Sequence, residues 1–210
     1  MNSTNKYILE YAKDFAFDHS ERISVGVFDV EIYVDVFEHH SKLNYRETAH
    51  VVFKKGDLIY ECNFCDRHHY QSDFYPITLN GQRFICFRKT LYGFTLINAD
   101  TLSTEYEYFP ESVIHGEESF IIMDAKTLDD FLIFEGCYWA CPDECFAFNY
   151  KTKQFLNVSK MCDVFSLDRI LLQDNNLILY GTDENDIEKQ VTVSKQDIAL
   201  GMSQNGQEDF

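Results

Sequence analysis

The chain has 210 residues, 45% of them hydrophobic and 16% aromatic, so it is long enough for a sizeable core and far from a disordered composition. Its formal charge is -17, with 11 basic and 14 acidic side chains in residues 1–100 against 7 and 21 in residues 101–210. That balance repels phosphate backbones and argues against nucleic-acid binding, while an acidic face attracts basic protein surfaces. No apolar run reaches the roughly 20 residues of a membrane span, and the start lacks the order of a signal peptide. Seven cysteines, odd in number and unevenly spread, fit reduced thiols, so a cytoplasmic protein is expected.

In chain order, Tyr7, Ile8, Tyr11, Ala12 and Phe15 share one helical stripe, predicting a short N-terminal helix capped by Ser3 or Thr4. Val30, Ile32, Val34 and Val36 alternate with Glu31, Tyr33 and Asp35, the period of a half-buried strand, and His39 to Lys42 reads as a loop. Lys54-Lys55-Gly56-Asp57 separates two apolar runs as a hairpin, and Asn80-Gly81 predicts a second with a type I′ turn. Strands are expected at 91–97, 103–109, 120–123, 131–135, 145–149, 155–158, 170–172, 177–180 and 191–193. Residues 110–119 read as an acidic loop, and a disordered tail is expected over 202–210.

The chain also repeats itself. Asp129-Asp130-Phe131-Leu132-Ile133-Phe134-Glu135-Gly136 returns 45 positions later as Asp174-Asn175-Asn176-Leu177-Ile178-Leu179-Tyr180-Gly181. A looser copy begins at Arg83, in the place of Asp130. Both it and the Asp130 copy run on to a strand ending in asparagine, Asn98 or Asn149, with similar turns behind: Ala99-Asp100-Thr101 and Tyr150-Lys151-Thr152. A period in the forties with several short strands per unit is that of propeller blades. The expected fold is therefore all-β, an antiparallel β-repeat architecture resembling a small or incomplete β-propeller. A β-sandwich or barrel is the alternative. Residues 1–201 are taken as one β-rich domain, with 1–75 a possible N-terminal part and 76–201 the repeat region.

Two stretches invite chemistry. Cys62 and Cys65 form a Cys-x-x-Cys knuckle followed by His68 and His69, types that ligate zinc, but no second knuckle completes a structural site. Gly136 to Cys145 holds three cysteines four apart and the only tryptophan, with Gly136 and Pro142 shaping a loop. Tyr138 and Trp139 at its tip are residue types favoured in binding hot spots; the alternative is that they fold inward over the core. That segment, Gly136-Cys137-Tyr138-Trp139-Ala140-Cys141-Pro142 with the strand Cys145-Phe146-Ala147-Phe148, resembles one that recurs in small bacterial proteins with propeller-like β repeats. The resemblance covers roughly residues 83–158, implies a β-repeat fold and a bacterial or phage origin, and carries no assigned activity.

No Gly-x-Ser-x-Gly elbow, phosphate loop, His-Glu-x-x-His or dinucleotide fingerprint is present. The carboxylate pairs Glu117 and Glu118, Asp129 and Asp130, and Asp183 and Glu184 fall in turns or loops, where solvated acids are the default, and His115 is the histidine to inspect if a pocket lies beside it. The expected function is a non-enzymatic module that binds a basic protein through Tyr138, Trp139, Asp143, Glu144, Asp183 and Glu184, without membrane or direct nucleic-acid contact. An immunity-type or inhibitor protein fits by analogy. The alternatives are a β-repeat protein with a small ligand, or a zinc-dependent enzyme using Cys62, Cys65 and a nearby histidine.

Overall fold

The structure is a computed structural model that describes residues 15–25, 28–40, 45–67, 74–115, 119–139 and 141–205. It is all-β, built of antiparallel sheets that follow one another along the chain. The first contains β1 (Ala16–Val25), β2 (Val30–His40), β3 (Tyr45–Lys55) and β4 (Leu58–Arg67), and the second β5 (Phe74–Leu79), β6 (Gln82–Phe87), β7 (Phe94–Asn98) and β8 (Thr104–Tyr108). A short helix α1 (Glu111–His115) leads to the third: β9 (Ile121–Leu128), β10 (Phe131–Cys137), β11 (Asp143–Asn149) and β12 (Gln154–Asn157). After α2 (Val158–Met161) comes a three-stranded sheet of β13 (Ser166–Gln173), β14 (Asn176–Thr182) and β15 (Glu188–Ser194), closed by α3 (Lys195–Asn205). In each sheet the strands pair in chain order, the up-and-down meander of a propeller blade, as the repeat predicts.

The chain divides into two compact units, one of Met1–Pro76 with Arg83–Gly116, the other of Ile77–Gln82 with Glu117–Phe210. In the first, the alternation along β2 is realised: Val30, Ile32, Val34 and Val36 are buried while Glu31, Tyr33 and Asp35 keep partial exposure. They pack with Ala49, Val51 and Phe53 of β3 and with Phe87 and Ile97. The Phe53 and Phe87 rings meet edge to face at 5.3 Å, a favoured aromatic geometry. In the second, Ile133, Cys145, Ala147, Leu156, Leu177, Leu179 and Val193 form the core with Ile198 and Met202 of α3.

The turns follow their sequence signals. Asn80 and Gly81 both take positive φ, 50° and 73°, as a type I′ turn requires, and Asp174 and Asn175 do the same at 49° and 60°. The two strand-end asparagines build the same turn twice: Asn98 Oδ1 accepts from the amides of Asp100 (2.9 Å) and Thr101 (3.1 Å), and Asn149 Oδ1 from those of Lys151 (2.9 Å) and Thr152 (3.2 Å). Each turn ends on a residue with positive φ, Leu102 and Lys153. Each is also stapled by an ion pair to its own β-hairpin, but with opposite polarity: Arg83 donates to Asp100, whereas Lys151 donates to Asp130 at 2.6 Å.

Four expectations need correction or fall outside the description. Residues 202–210 are not all tail: α3 runs to Asn205, and Met202 is 3% exposed because its side chain fills the core beside Ile198. His39 and His40 end β2 rather than opening a loop, since the ladder to β3 continues to the pair His40 and Tyr45. The acidic loop from Pro110 contains α1. The N-terminal helix over Tyr7 to Phe15 lies outside the described residues apart from Phe15, which is in neither helix nor strand.

Candidate partner-binding groove

The β10–β11 loop, α2 with its exit turn, and the β14–β15 loop surround a groove of about 390 Å³ in the second unit. Its lining includes Cys141, Pro142, Glu144, Val164, Phe165 and Glu184. Glu144 and Glu184, expected contact residues from segments 40 positions apart, are thus brought to one place.

Each wall is braced. Asn157 caps α2 by accepting from the Lys160 amide at 2.8 Å, while its side-chain amide donates to Glu144, fixing that carboxylate at the rim. Ser159 Oγ accepts from the Cys145 amide at 2.9 Å and ties the helix to β11. The exit turn is held by the Val164 amide on the Ser159 carbonyl and by the Phe165 amide on the Thr182 carbonyl, both at 2.8 Å. On this doubly tethered backbone Val164 turns inward and the Phe165 ring is left 60% exposed. Asp163, also in the lining, is engaged by Lys189, which donates to its carboxylate and, at 2.8 Å, to its carbonyl.

Asp183 is spent on its own loop. Its carboxylate accepts from the amides of Asn185 (2.8 Å) and Ile187 (3.1 Å), and these bonds hold its pKa below the usual carboxylate value. The adjacent Glu184 has no ion pair among the described residues and is exposed. Lys160 is the cation in the lining and, with Asp163 paired to Lys189, it is outnumbered by the carboxylates of Glu144 and Glu184.

Tyr138 and Trp139 sit on the β10–β11 loop outside this lining. Tyr138 is half-buried, its ring edge-on to Phe120 at 5.8 Å, and Trp139 is 57% exposed. Asp143 faces Cys137 across the hairpin; burial, then the nearby Asp143 charge and its hydrogen bond, raise the Cys137 thiol pKa. Of the selected contact residues only Glu144 and Glu184 line the groove; Phe165 is among the lining residues that the sequence reading did not select. Its signal was a bulky aromatic flanked by Val164 and Ser166, with nothing periodic to distinguish it.

Cys62 is buried in the core of the first unit, where desolvation pushes its thiol up to about 11, an environment hostile to the thiolate that zinc requires. The Cys65 side chain, His68 and His69 lie outside the described residues. Among the described residues no group of three or more His, Cys, Asp or Glu is placed to hold a metal ion. Of the carboxylate pairs, Asp129 is bonded by Lys195 and Asp130 by Lys151, Glu184 but not Asp183 lines the groove, and Glu117 and Glu118 lie outside the described residues; His115 is exposed at the end of α1. No described helix is long and apolar enough to cross a membrane.

No protein-family model matches the chain, and no curated protein matches it. Among solved structures it is similar to one titled "Crystal structure of HIRA(644-1017)", with 8% identity and a TM-score of 0.37, over 87% of this chain and 56% of that one. The chain thus spans about half the length of that structure, and a likeness this slight carries no argument.

Proposed function

We propose that the protein is a non-enzymatic binding module that takes a basic protein partner through the acidic groove beside Phe165. The observation that carries this is the convergence of Glu144 and Glu184 on one groove whose wall is an exposed aromatic ring. Such a surface suits the lysine and arginine side chains of a partner, whose methylene stems lie against Phe165 and Pro142 while their charged heads reach the carboxylates. Trp139 and Tyr138, on the same loop as Pro142, extend the contact. The excess of acidic groups in residues 101–210 adds long-range attraction. An inhibitor that occupies the basic face of its target, in a bacterial cytoplasm, is the specific form of this reading.

The test is a tagged capture from host lysate at low salt, repeated at roughly half-molar salt. A stoichiometric basic protein, retained by the wild type, weakened by salt and lost by Glu144→Lys/Glu184→Lys, is the expected result. Equal retention by the double variant eliminates the groove as the contact.

A further inference from the structure

Among the described residues the sheet of β13, β14 and β15 has one strand fewer than the four found in each of the other three. Among the described residues β15 has a strand on one side only. Beside it runs a second groove, of about 670 Å³, lined by Val191, Thr192 and Val193 together with Asp197, Leu200 and Gln204 of α3. Successive strand residues point to opposite faces, so three in a row border one groove only where it follows the edge of the strand itself. The helical residues are spaced i, i+3 and i+7, one face of α3, which makes the opposite wall together with Met161 and Cys162. Leu200 on that wall is apolar and 57% exposed.

Edges are commonly blunted by bulges, prolines or lysines. β15 has no proline, and its register with β14 runs unbroken from Glu188 opposite Thr182 to Ser194 opposite Asn176. The nearby lysines are already committed, Lys189 to Asp163 and Lys195 to Asp129. Glu188 and Asp197 remain exposed, so the edge is negative. A second copy of the same edge would meet like charge.

We propose that β15 is a strand-addition site, taking an extended, cationic segment of a partner protein as the fourth strand of this sheet, with apolar side chains of that segment against Val191 and Leu200. Main-chain hydrogen bonds supply the affinity and α3 the side-chain selection. This site is separate from the groove beside Phe165 and stands without it.

The probe is a synthetic eight-residue peptide alternating valine and lysine, with a valine–glutamate peptide as the charge control. Fluorescence anisotropy should show saturable binding of the first and none of the second. Hydrogen exchange should slow at β15 amides on binding. Leu200→Arg, at an exposed position, should weaken binding at least tenfold, whereas Glu144→Lys/Glu184→Lys should leave it within twofold and so separate the two sites. No saturable binding, unchanged exchange at β15, or equal affinity for Leu200→Arg overturns the proposal. Protection of β15 that rises with protein concentration in the absence of peptide overturns it in favour of a second copy.

Discussion

Gly136 and Gly181 occupy equivalent places in the repeat, and the reason is steric in both. A side chain at Gly136 would run into the carbonyl oxygen of Ile121, and one at Gly181 into that of Ser166, where the neighbouring strand shifts register and its backbone swings close. Gly136→Ala and Gly181→Ala should each cost about 1–3 kcal/mol, the usual range for overpacking, and denaturant melts will read it. Asp183 carries a pH dependence of defined sign. Its pKa is lowered in the folded state, so its stabilisation is present above the ordinary value of 3.8 and is lost as pH falls through the folded-state pKa. The gap in melting temperature between the wild type and Asp183→Ala should therefore be widest near neutral pH and close below about pH 3.8. At this scale the sequence was partly legible. The asparagine turns were visible because Asx hydrogen bonding is local chemistry. Phe165 was not, because exposure of one aromatic depends on tethers to Ser159 and Thr182 that no short window contains.

At the scale of elements, the ion pairs that staple the two asparagine turns have exchanged signs, Arg83 with Asp100 in one repeat and Asp130 with Lys151 in the other. The turn is thus set by the asparagine and indifferent to which partner carries which charge. Asp130→Arg should lower the melting temperature by placing a cation beside Lys151, and Asp130→Arg/Lys151→Asp, which copies the polarity of the other repeat, should recover most of the loss. Failure of the double variant to recover would show that position 130 is fixed by more than its pair. Strand prediction succeeded where one face is buried, as in β2, and failed for β1, whose Asp18-His19-Ser20-Glu21-Arg22 run has no apolar alternation because the strand is, among the described residues, an exposed edge. α3 was missed because its buried residues, Ile198 and Met202, are few and lie beside the exposed Leu200, which blurs the helical stripe. Its start was nonetheless written in Ser194-Lys195-Gln196-Asp197: the Asp197 carboxylate accepts from the Ser194 amide at 2.9 Å and Ser194 Oγ from the Asp197 amide at 3.2 Å, a reciprocal cap.

For the molecule as a whole, charge rather than apolar area should govern how a partner arrives. With a net charge of -17, association with a basic protein should be steered, and its rate constant should fall steeply with ionic strength while dissociation changes little. Stopped-flow measurements across a salt series would test this once a partner is in hand, and a flat salt response would contradict the basic-partner reading. The repeat, its period and its hairpins were legible because they are properties of local pattern. The groove was not, because it joins residues from 141 to 184 through packing.

The hydrogen bonds within the Asp183 loop have a thermodynamic consequence for recognition. A loop that already holds its own backbone surrenders little conformational entropy when a partner docks, so Glu184 is presented at low ordering cost. Releasing that loop should leave the charge in place and still weaken binding, a loss that calorimetry would record in the entropy of association.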